Sequence, residues 1–312
     1  MYRRNMAELD PGPSISIIIA TKGRTDSLKK LFSSLSQLER LKEVQPEILV
    51  VNNADDGVPE QAVTALVEEF WETVGGVRCL REKDAIPPRP KCRGHNLAIR
   101  EARGSILAFI DDDVEVTSGW LKAIQEFFRQ SDYDAMQGAI LVPPAFQNDD
   151  RFLQAWNRYR TIPYINYGPH IKDVHTLTGP NMAARRDVFE RVGLFDERLG
   201  PGRSGMSEDV EFAQRLLAAG RQIGYEPNAA VYHEVDWNRL NEDFFRRWHE
   251  QQGRSRLIYK NSSLLSIVPN LGRSLVSYGW YSVFPKERKR YRAMGRYYHY
   301  LAMLRVKLGV SG

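Results

Sequence analysis

Cysteine is nearly absent: Cys79 and Cys92 are the only two in 312 residues, and they lack metal-ligand spacing. That excludes a disulfide framework and fits a reducing compartment. No run of eighteen apolar residues occurs, so no membrane-spanning helix is expected. Residues 1–13 lack the apolar stretch of a signal peptide. The turn after the first expected strand has no G-x-G-x-x-G, and no G-x-x-x-x-G-K-[ST] occurs, which sets aside dinucleotide-dependent dehydrogenases and P-loop NTPases. The body also lacks a basic stripe. Net charge is +5, yet from residue 285 onward eight Lys or Arg face Glu287 alone, leaving about −2 for everything before. No nucleic-acid partner is expected. The absences together predict a cytoplasmic protein, soluble or peripheral on the inner face of the cell membrane.

What is present suits a large α/β domain with appended elements: 42% hydrophobic and 27% charged residues can supply a substantial core. Residues 14–20 start with alternation and end fully apolar, as a buried parallel strand does. The polar turn Thr21-Lys22-Gly23-Arg24 follows, then a helix with Leu28, Leu31, Phe32, Leu35 and Leu38 on one face and Thr25 or Asp26 as N-cap. Residues 47–52 read as a second strand. Pro59 opens a helix whose stripe is Val63, Leu66, Val67, Phe70 and Trp71. A strand at 77–80, a proline-rich loop at 87–90, a helix near 94–102 capped by Gly104 and a strand at 105–110 complete this half. Strand and helix alternate about every thirty residues, which predicts right-handed βαβ units and a parallel sheet.

The strand at 105–110 ends in Asp111-Asp112-Asp113. In extended chain Asp111 and Asp113 share a face. Ligands of open α/β sheets bind beyond the carboxyl ends of strands, and clustered carboxylates want a cation. A solvated acidic turn is the plain alternative. The second half is less regular: a strand at 134–142, a helix at 151–161, a loop through 164–178, a small-residue turn at 178–184 and a short helix at 185–192. A glycine-rich loop at 200–205 then runs into a helix begun by Glu208 and Asp209 and bearing Phe212, Leu216 and Leu217. Acids there either cap the helix and meet its dipole, or face a ligand. Strands at 222–225 and 229–232 follow, the latter ending at His233, a position as suited to a structural histidine as to a ligand.

In this order the motifs resemble the family 2 glycosyltransferases with the GT-A fold. The resemblance runs from about residue 14 to residue 259. It rests on Ile17-Ile18-Ile19-Ala20-Thr21-Lys22-Gly23-Arg24, on Val50-Val51-Asn52-Asn53, on His95-Asn96 and on the Asp triplet. Thr178-Gly179-Pro180-Asn181, Gly193-Leu194-Phe195-Asp196, Ser207-Glu208-Asp209 and His233 continue it. The resemblance implies a mostly parallel central sheet with helices on both faces and a C-terminal helical extension. It divides the chain into an arm (1–13), a nucleotide-binding half (14–113), an acceptor-binding half (114–240) and the extension (241–312). It also implies inverting transfer of a sugar from a nucleotide-diphosphate donor, a UDP-sugar by preference, to a hydroxyl of a glycan or lipid-linked acceptor, in surface polysaccharide or glycolipid synthesis. Asp113, Asp111 and His233 would hold Mn2+, or Mg2+ in its place. Asp209 would be the general base, with Glu208 beside it. Ala20, Thr21, Arg24, Asn52, Asp111, Asp112, Gly179, Asn181 and Arg254 would meet the nucleotide-sugar. The family commonly has Asp at the Asn52 position and Ala-Arg-Asn where this chain has Gly94-His95-Asn96. Uridine preference is thereby weakened, and His95, Lys91 or Arg93 must serve the diphosphate.

Beyond residue 240, Phe244, Phe245 and Trp248 suggest an aromatic helix, with Arg254 and Arg256 placed for phosphate contact. The tail mixes Lys and Arg with Tyr291, Tyr297, Tyr298 and Tyr300, and reads either as a solvated amphipathic helix or as an element drawn to an anionic membrane. Two rivals stand beside the glycosyltransferase reading. A nucleotidyltransferase would need a better glycine-rich basic loop than residues 21–24, and a non-catalytic carbohydrate- or membrane-binding relative would not need Asp113, Asp209 and His233.

Overall fold

A computed structural model describes residues 14–39, 46–74, 76–81, 89–284 and 286–310. The expected arm 1–13, the start of the proline-rich loop with Pro87 and Pro88, and Pro285 lie outside them. In chain order the strands are β1 (Ile15–Thr21), β2 (Glu47–Asn52), β3 (Val77–Leu80), β4 (Ile106–Asp111), β5 (Val114–Val116), β6 (Ala135–Leu141), β7 (Lys172–Asp173), β8 (Asn181–Arg185) and β9 (Ile223–His233). The helices are α1 (Thr25–Ser36), α2 (Val58–Val74), α3 (Lys91–Glu101), α4 (Trp120–Gln130), α5 (Asp150–Tyr159), α6 (Arg186–Val192), α7 (Glu208–Ala218), α8 (Glu242–Tyr259), α9 (Leu264–Val283) and α10 (Glu287–Lys307).

One sheet runs in the order β3-β2-β1-β4-β8-β6-β9-β5, with β7 on the flank of β9. The strands β3, β2, β1 and β4 are mutually parallel, as the βαβ alternation predicts. From β8 onward the sheet is mixed: β8 runs antiparallel to β4 and β6, while β9 is parallel to β6 and antiparallel to β5. Period-two alternation sends Ile17 and Ile19 to a core built with α1, α2 and α4, and Ile18 and Ala20 to a second core with α3, α6 and α7. Ile17, Ile18 and Ile19 are fully buried, each worth about 2–3 kcal/mol of apolar burial. In register, Ala20 lies beside Asp111 and Thr21 beside Asn52, so the C-terminal ends of three parallel strands open on one crevice.

Several local expectations change. Trp71 is 55% exposed, because the α2 stripe turns Phe70 onto Phe32 in a stacked pair at 4.1 Å and leaves the next residue outside. The N-cap of α1 is Arg24 rather than Thr25 or Asp26, and the Thr25 N–H is taken by the Gly23 carbonyl at 2.9 Å. Gly104 does not cap α3, which ends at Glu101 with Ala102 as its C-cap. A Cβ on Gly104 would lie 2.5 Å from the Ser16 nitrogen, so the glycine permits close approach to β1. The turn expected at 178–184 is mostly β8, and the two strands expected at 222–232 are one, β9, with a register shift opposite Gly138 and Ala139.

The extension is a packed helical layer. α10 lies against both α8 and α9, and it buries Tyr291, Ala293, Met294, Ala302 and Met303. Close crossing is permitted by Gly253, where a Cβ would meet the His299 carbonyl at 2.2 Å. The tail is therefore not a wholly solvated helix. Its partner α9 turns an apolar stripe outward, with Leu265, Val268, Val276, Trp280 and Val283 exposed. Among the described residues no helix is long and apolar enough to cross a membrane.

Candidate active site

The Asp triplet divides as β4 ends. Asp111, the last strand residue, turns to Lys91 at the first turn of α3, and its Oδ1 accepts from the Lys91 ammonium. Burial would raise the Asp111 carboxyl, but the Lys91 charge and hydrogen bond hold it down to about 2. Lys91 stays protonated well above its ordinary range, since Asp111 and Glu208 outweigh its own burial. Asp112 points away from the crevice. Its Oδ2 accepts the Thr21 hydroxyl at 2.6 Å and its Oδ1 accepts from Arg24. Burial raises the Asp112 carboxyl despite those donors. Asp113 follows the strand end, with Oδ2 accepting from Arg24 Nη1 at 2.7 Å.

The other Asp113 oxygen, Oδ1, is buried and has no hydrogen-bond partner. It lies 3.6 Å from Nε2 of His233, the final residue of β9. The His233 Nδ1 stands 2.8 Å from the Glu234 carbonyl, which can only accept, so Nδ1 donates there and the neutral ring has Nε2 as its acceptor. Two acceptors thus face each other in a buried niche. An oxygen anion and an imidazole nitrogen suit Mn2+. Among the described residues no three His, Cys, Asp or Glu side chains form a group that could hold a metal ion, so Asp113 and His233 could supply only two ligands to a cation.

Across the crevice, α7 starts at Glu208 after Ser207, whose φ of 77° is left-handed and whose side chain caps nothing. Asp209 accepts the Gly179 N–H at 2.7 Å on Oδ2 and the Val210 N–H at 2.8 Å on Oδ1. Burial raises its carboxyl against the pull of those donors. Glu208 is 6% exposed, with Oε1 3.8 Å from Lys91 Nζ. Burial first, and the Asp209 charge second, lift it to about 7. A Cβ on Gly179 would stand 3.4 Å from Lys91 Nζ and 3.6 Å from Asp209 Oδ2, ordinary contact distances that mark how near this backbone runs to both side chains. Asp111, Lys91, Gly179, Glu208, Asp209 and His233 all line one cavity of about 530 Å3.

Other expected site residues fall elsewhere. Asn181 is fully buried: its Nδ2 donates to the Ala139 and Ala229 carbonyls at 2.8 Å, and its Oδ1 accepts Trp120 Nε1 at 3.0 Å. All its polar atoms serve the core. Asn52 spends its amide on the Glu60 carbonyl and the Ala54 N–H, each at 3.1 Å, as a turn-former does. His95 lies between Phe109 and Phe195 with both ring nitrogens buried and unpartnered, and burial lowers it to about 3, so it cannot present charge to a diphosphate. Lys91 stands in the crevice instead. Thr21 positions Asp112, and Ala20 sits in the strand core. Arg254 is exposed on α8, 4.0 Å from Glu250 and apart from the cavity lining. Arg239, just past His233, was not anticipated: it lines the cavity with its Nε buried and unpartnered. Its signal in the sequence is a lone arginine six residues after a strand-end histidine.

The sequence model of "Glycosyltransferase like family 2" matches residues 11–251. The succinoglycan biosynthesis protein ExoM of Rhizobium meliloti is 24% identical over 279 residues, 86% of this chain and 85% of that protein. The O-antigen biosynthesis protein RfbC of Myxococcus xanthus is 26% identical over 235 residues, 71% of this chain but 17% of the relative. Among solved structures, the mannosyltransferase PcManGT of Pyrobaculum calidifontis, in complex with GDP-Man and Mn2+, superposes with a TM-score of 0.62 at 15% identity, covering 99% of this chain and 92% of that one. GalNAc-T7 with UDP, GalNAc and Mn2+ gives 0.56 at 15% identity, over 83% and 54%.

Proposed function

The chain belongs to glycosyltransferase-like family 2, and from that membership we propose an inverting, metal-dependent enzyme that passes a sugar from a nucleotide-diphosphate donor to an acceptor hydroxyl. One observation carries the reading. His233, which meets the Asp113 carboxylate at 3.6 Å, lines one cavity together with Asp209 and with Asp111 at the C-terminal end of β4.

Asp113 and His233 would hold the cation, which supplies neutralising charge to the leaving diphosphate. Lys91 holds Asp111 ionised and offers a fixed positive charge beside the same leaving group. Asp209 takes the acceptor proton: its raised carboxyl is a stronger base than an exposed aspartate, and two backbone N–H donors fix its aim. Glu208, raised to about 7, holds a proton through part of the working range and keeps a second negative charge from forming beside the base. A single base opposite the leaving nucleotide gives displacement with inversion. Residues 14–113 serve the nucleotide and 114–240 the acceptor. The names of the relatives, for succinoglycan and O-antigen, favour a surface glycan or glycolipid acceptor. A UDP-sugar remains the preferred donor. The apolar stripe of α9 beside the basic α10 supports peripheral attachment to an anionic membrane, with α9 supplying the apolar contact.

The test is a melting-temperature screen of UDP, GDP, dTDP and CMP sugars with and without Mn2+, where ligand at 100 Kd adds about 2.7 kcal/mol. A stabilising donor should then yield product of opposite anomeric configuration. No stabilisation by any donor would refute the reading.

A further inference from the structure

The sequence of α10 places Arg288, Arg292 and Arg296 at i, i+4 and i+8, one stripe of the helix. That stripe, with His299 and Tyr300, faces a cavity of about 660 Å3 whose far walls come from α5 and α8. Five arginines line it, Arg158 and Arg160 being the others, with His249 and His299, and no carboxylate is among the lining residues. Only Arg158 has an acid partner, Glu287 at 2.7 Å; among the described residues Arg288, Arg292 and Arg296 have none. Like charges four apart on a helix destabilise it. An unrelieved stripe of them is the complement of an anion.

Arg160 joins this cavity to the active site. It ends α5 in left-handed backbone at φ 55°, a conformation costly for any residue but glycine or asparagine. Its guanidinium stacks 3.6 Å over Trp156 and donates to Asn157, while its Nε is buried without a partner. Arg160, Trp248 and Gln252 line both this cavity and the one that holds Asp209. The remaining wall is aromatic, from Tyr159, Phe245 and Tyr291. On its other side α10 packs against α9, whose apolar stripe faces outward.

We infer that the cavity between α5, α8 and α10 binds the phosphate or diphosphate of a lipid-linked acceptor, its arginines clasping the anion beside the site of sugar transfer. Guanidinium forks suit phosphate oxygens, and the aromatic wall suits the first apolar units that follow them. The α9 stripe would lie in the lipid from which the acceptor comes. This rests on the glycosyltransferase reading for its acceptor but not for its anion.

The test uses the full chain in EDTA, so that the Asp113–His233 niche takes no part, with inorganic pyrophosphate and farnesyl diphosphate as probes in calorimetry. Farnesyl diphosphate should bind more tightly than pyrophosphate. Arg292→Ala and Arg296→Ala, both at exposed positions, should each weaken it roughly tenfold, the loss of one charge-assisted contact. Their melting temperatures should not fall, and their affinity for UDP with Mn2+ should stay unchanged. Arg292→Lys should recover part of the loss. Unaltered probe affinity in both alanine variants, or full displacement of the probe by UDP with Mn2+, would overturn the site. Equal affinity for the two probes would overturn its lipid source. Probe binding that depends on these arginines in a protein that binds no sugar nucleotide would uphold the site and remove the donor reading instead.

Discussion

His233 Nε2 and Asp113 Oδ1 face each other across 3.6 Å, and with the ring neutral neither has a proton to give. The Asp113 oxygen is buried without a partner and is costly to leave so. A cation between them resolves that deficit. Asp113→Ala should therefore abolish the Mn2+-dependent part of donor binding, so that affinity with metal falls to that in EDTA. Calorimetry on the unmodified protein is the control: equal donor affinity with and without EDTA would dispose of the metal site.

Asp209→Asn keeps the shape but only one of the two oxygens that accept the Gly179 and Val210 N–H groups, and it cannot take a proton. Turnover should fall about 10²–10⁴-fold with donor Kd nearly constant. A mere capping role predicts turnover within a few-fold and a stability loss of about 1 kcal/mol at most. If Glu208→Gln is the dead variant and Asp209→Asn the active one, the base has been misassigned.

Glu208 also leaves a signature in stability. Its folded pKa of about 7 lies above the ordinary 4.5, so the folded state holds the proton more tightly than the unfolded one. The contribution is full below pH 4.5 and is lost as pH rises through 7. Asp209 and Asp112 are shifted in the same sense, so the comparison with Glu208→Gln isolates this carboxyl. The stability advantage of Glu208→Gln over the unmodified chain should grow between pH 4.5 and 7, reaching about 3 kcal/mol as an upper bound, and then level off. Parallel denaturation curves across that window would contradict the assignment.

The expected nucleotide role of Asn181 gives way to a structural one with its own test. Asn181→Ala strands the Trp120 Nε1 donor and the Ala139 and Ala229 carbonyls, and should cost about 3 kcal/mol or more by denaturation. Gly138→Ala should be comparably damaging, because its Cβ would fall 2.2 Å from Asn181 Nδ2. The protein that remains folded should bind donor normally. A large loss of donor affinity without loss of stability would return Asn181 to the site.

For the membrane surface, deletion of residues 285–312 is not a clean test, since α10 buries Met294 and Met303 in the extension. Val276→Asp with Trp280→Asp changes only the outer stripe of α9, where these residues are 73% and 59% exposed. Sedimentation with acidic liposomes should drop sharply while melting temperature holds. Unchanged sedimentation would show that the stripe does not meet lipid.

The chemistry-bearing ends of elements were legible because strand and helix periodicity locate ends well. The Asp triplet at the close of β4, Glu208 and Asp209 at the start of α7 and His233 at the close of β9 all lie at the expected termini. What escaped was which atoms each side chain spends on its neighbours. Asn52, His95 and Asn181 stand in motif positions, yet burial and local hydrogen bonds withdraw them from the crevice. The shared face expected of Asp111 and Asp113 presumed that extended chain continues, whereas β4 stops at Asp111. β8 reads as a turn in the sequence because its small residues, Ala183 and Ala184, carry little strand signal. α9 falls within the expected helical extension, but Pro269 and two glycines blur its bounds in the sequence.

The register shift in β9 gives the metal niche a dependence on phase. Gly138 pairs with Glu226 and Ala139 with Ala230, so β9 spends four steps where β6 spends one. The excess of three residues is odd, and side chains in a strand alternate between faces. Past the bulge every residue of β9 therefore presents the face opposite to the one an unbroken pairing would give it. His233 reaches Asp113 only in this inverted phase. With Ala230 held in that register, a one-residue deletion between Ala230 and His233 would turn the imidazole to the other face, with every ligand atom still encoded in the chain.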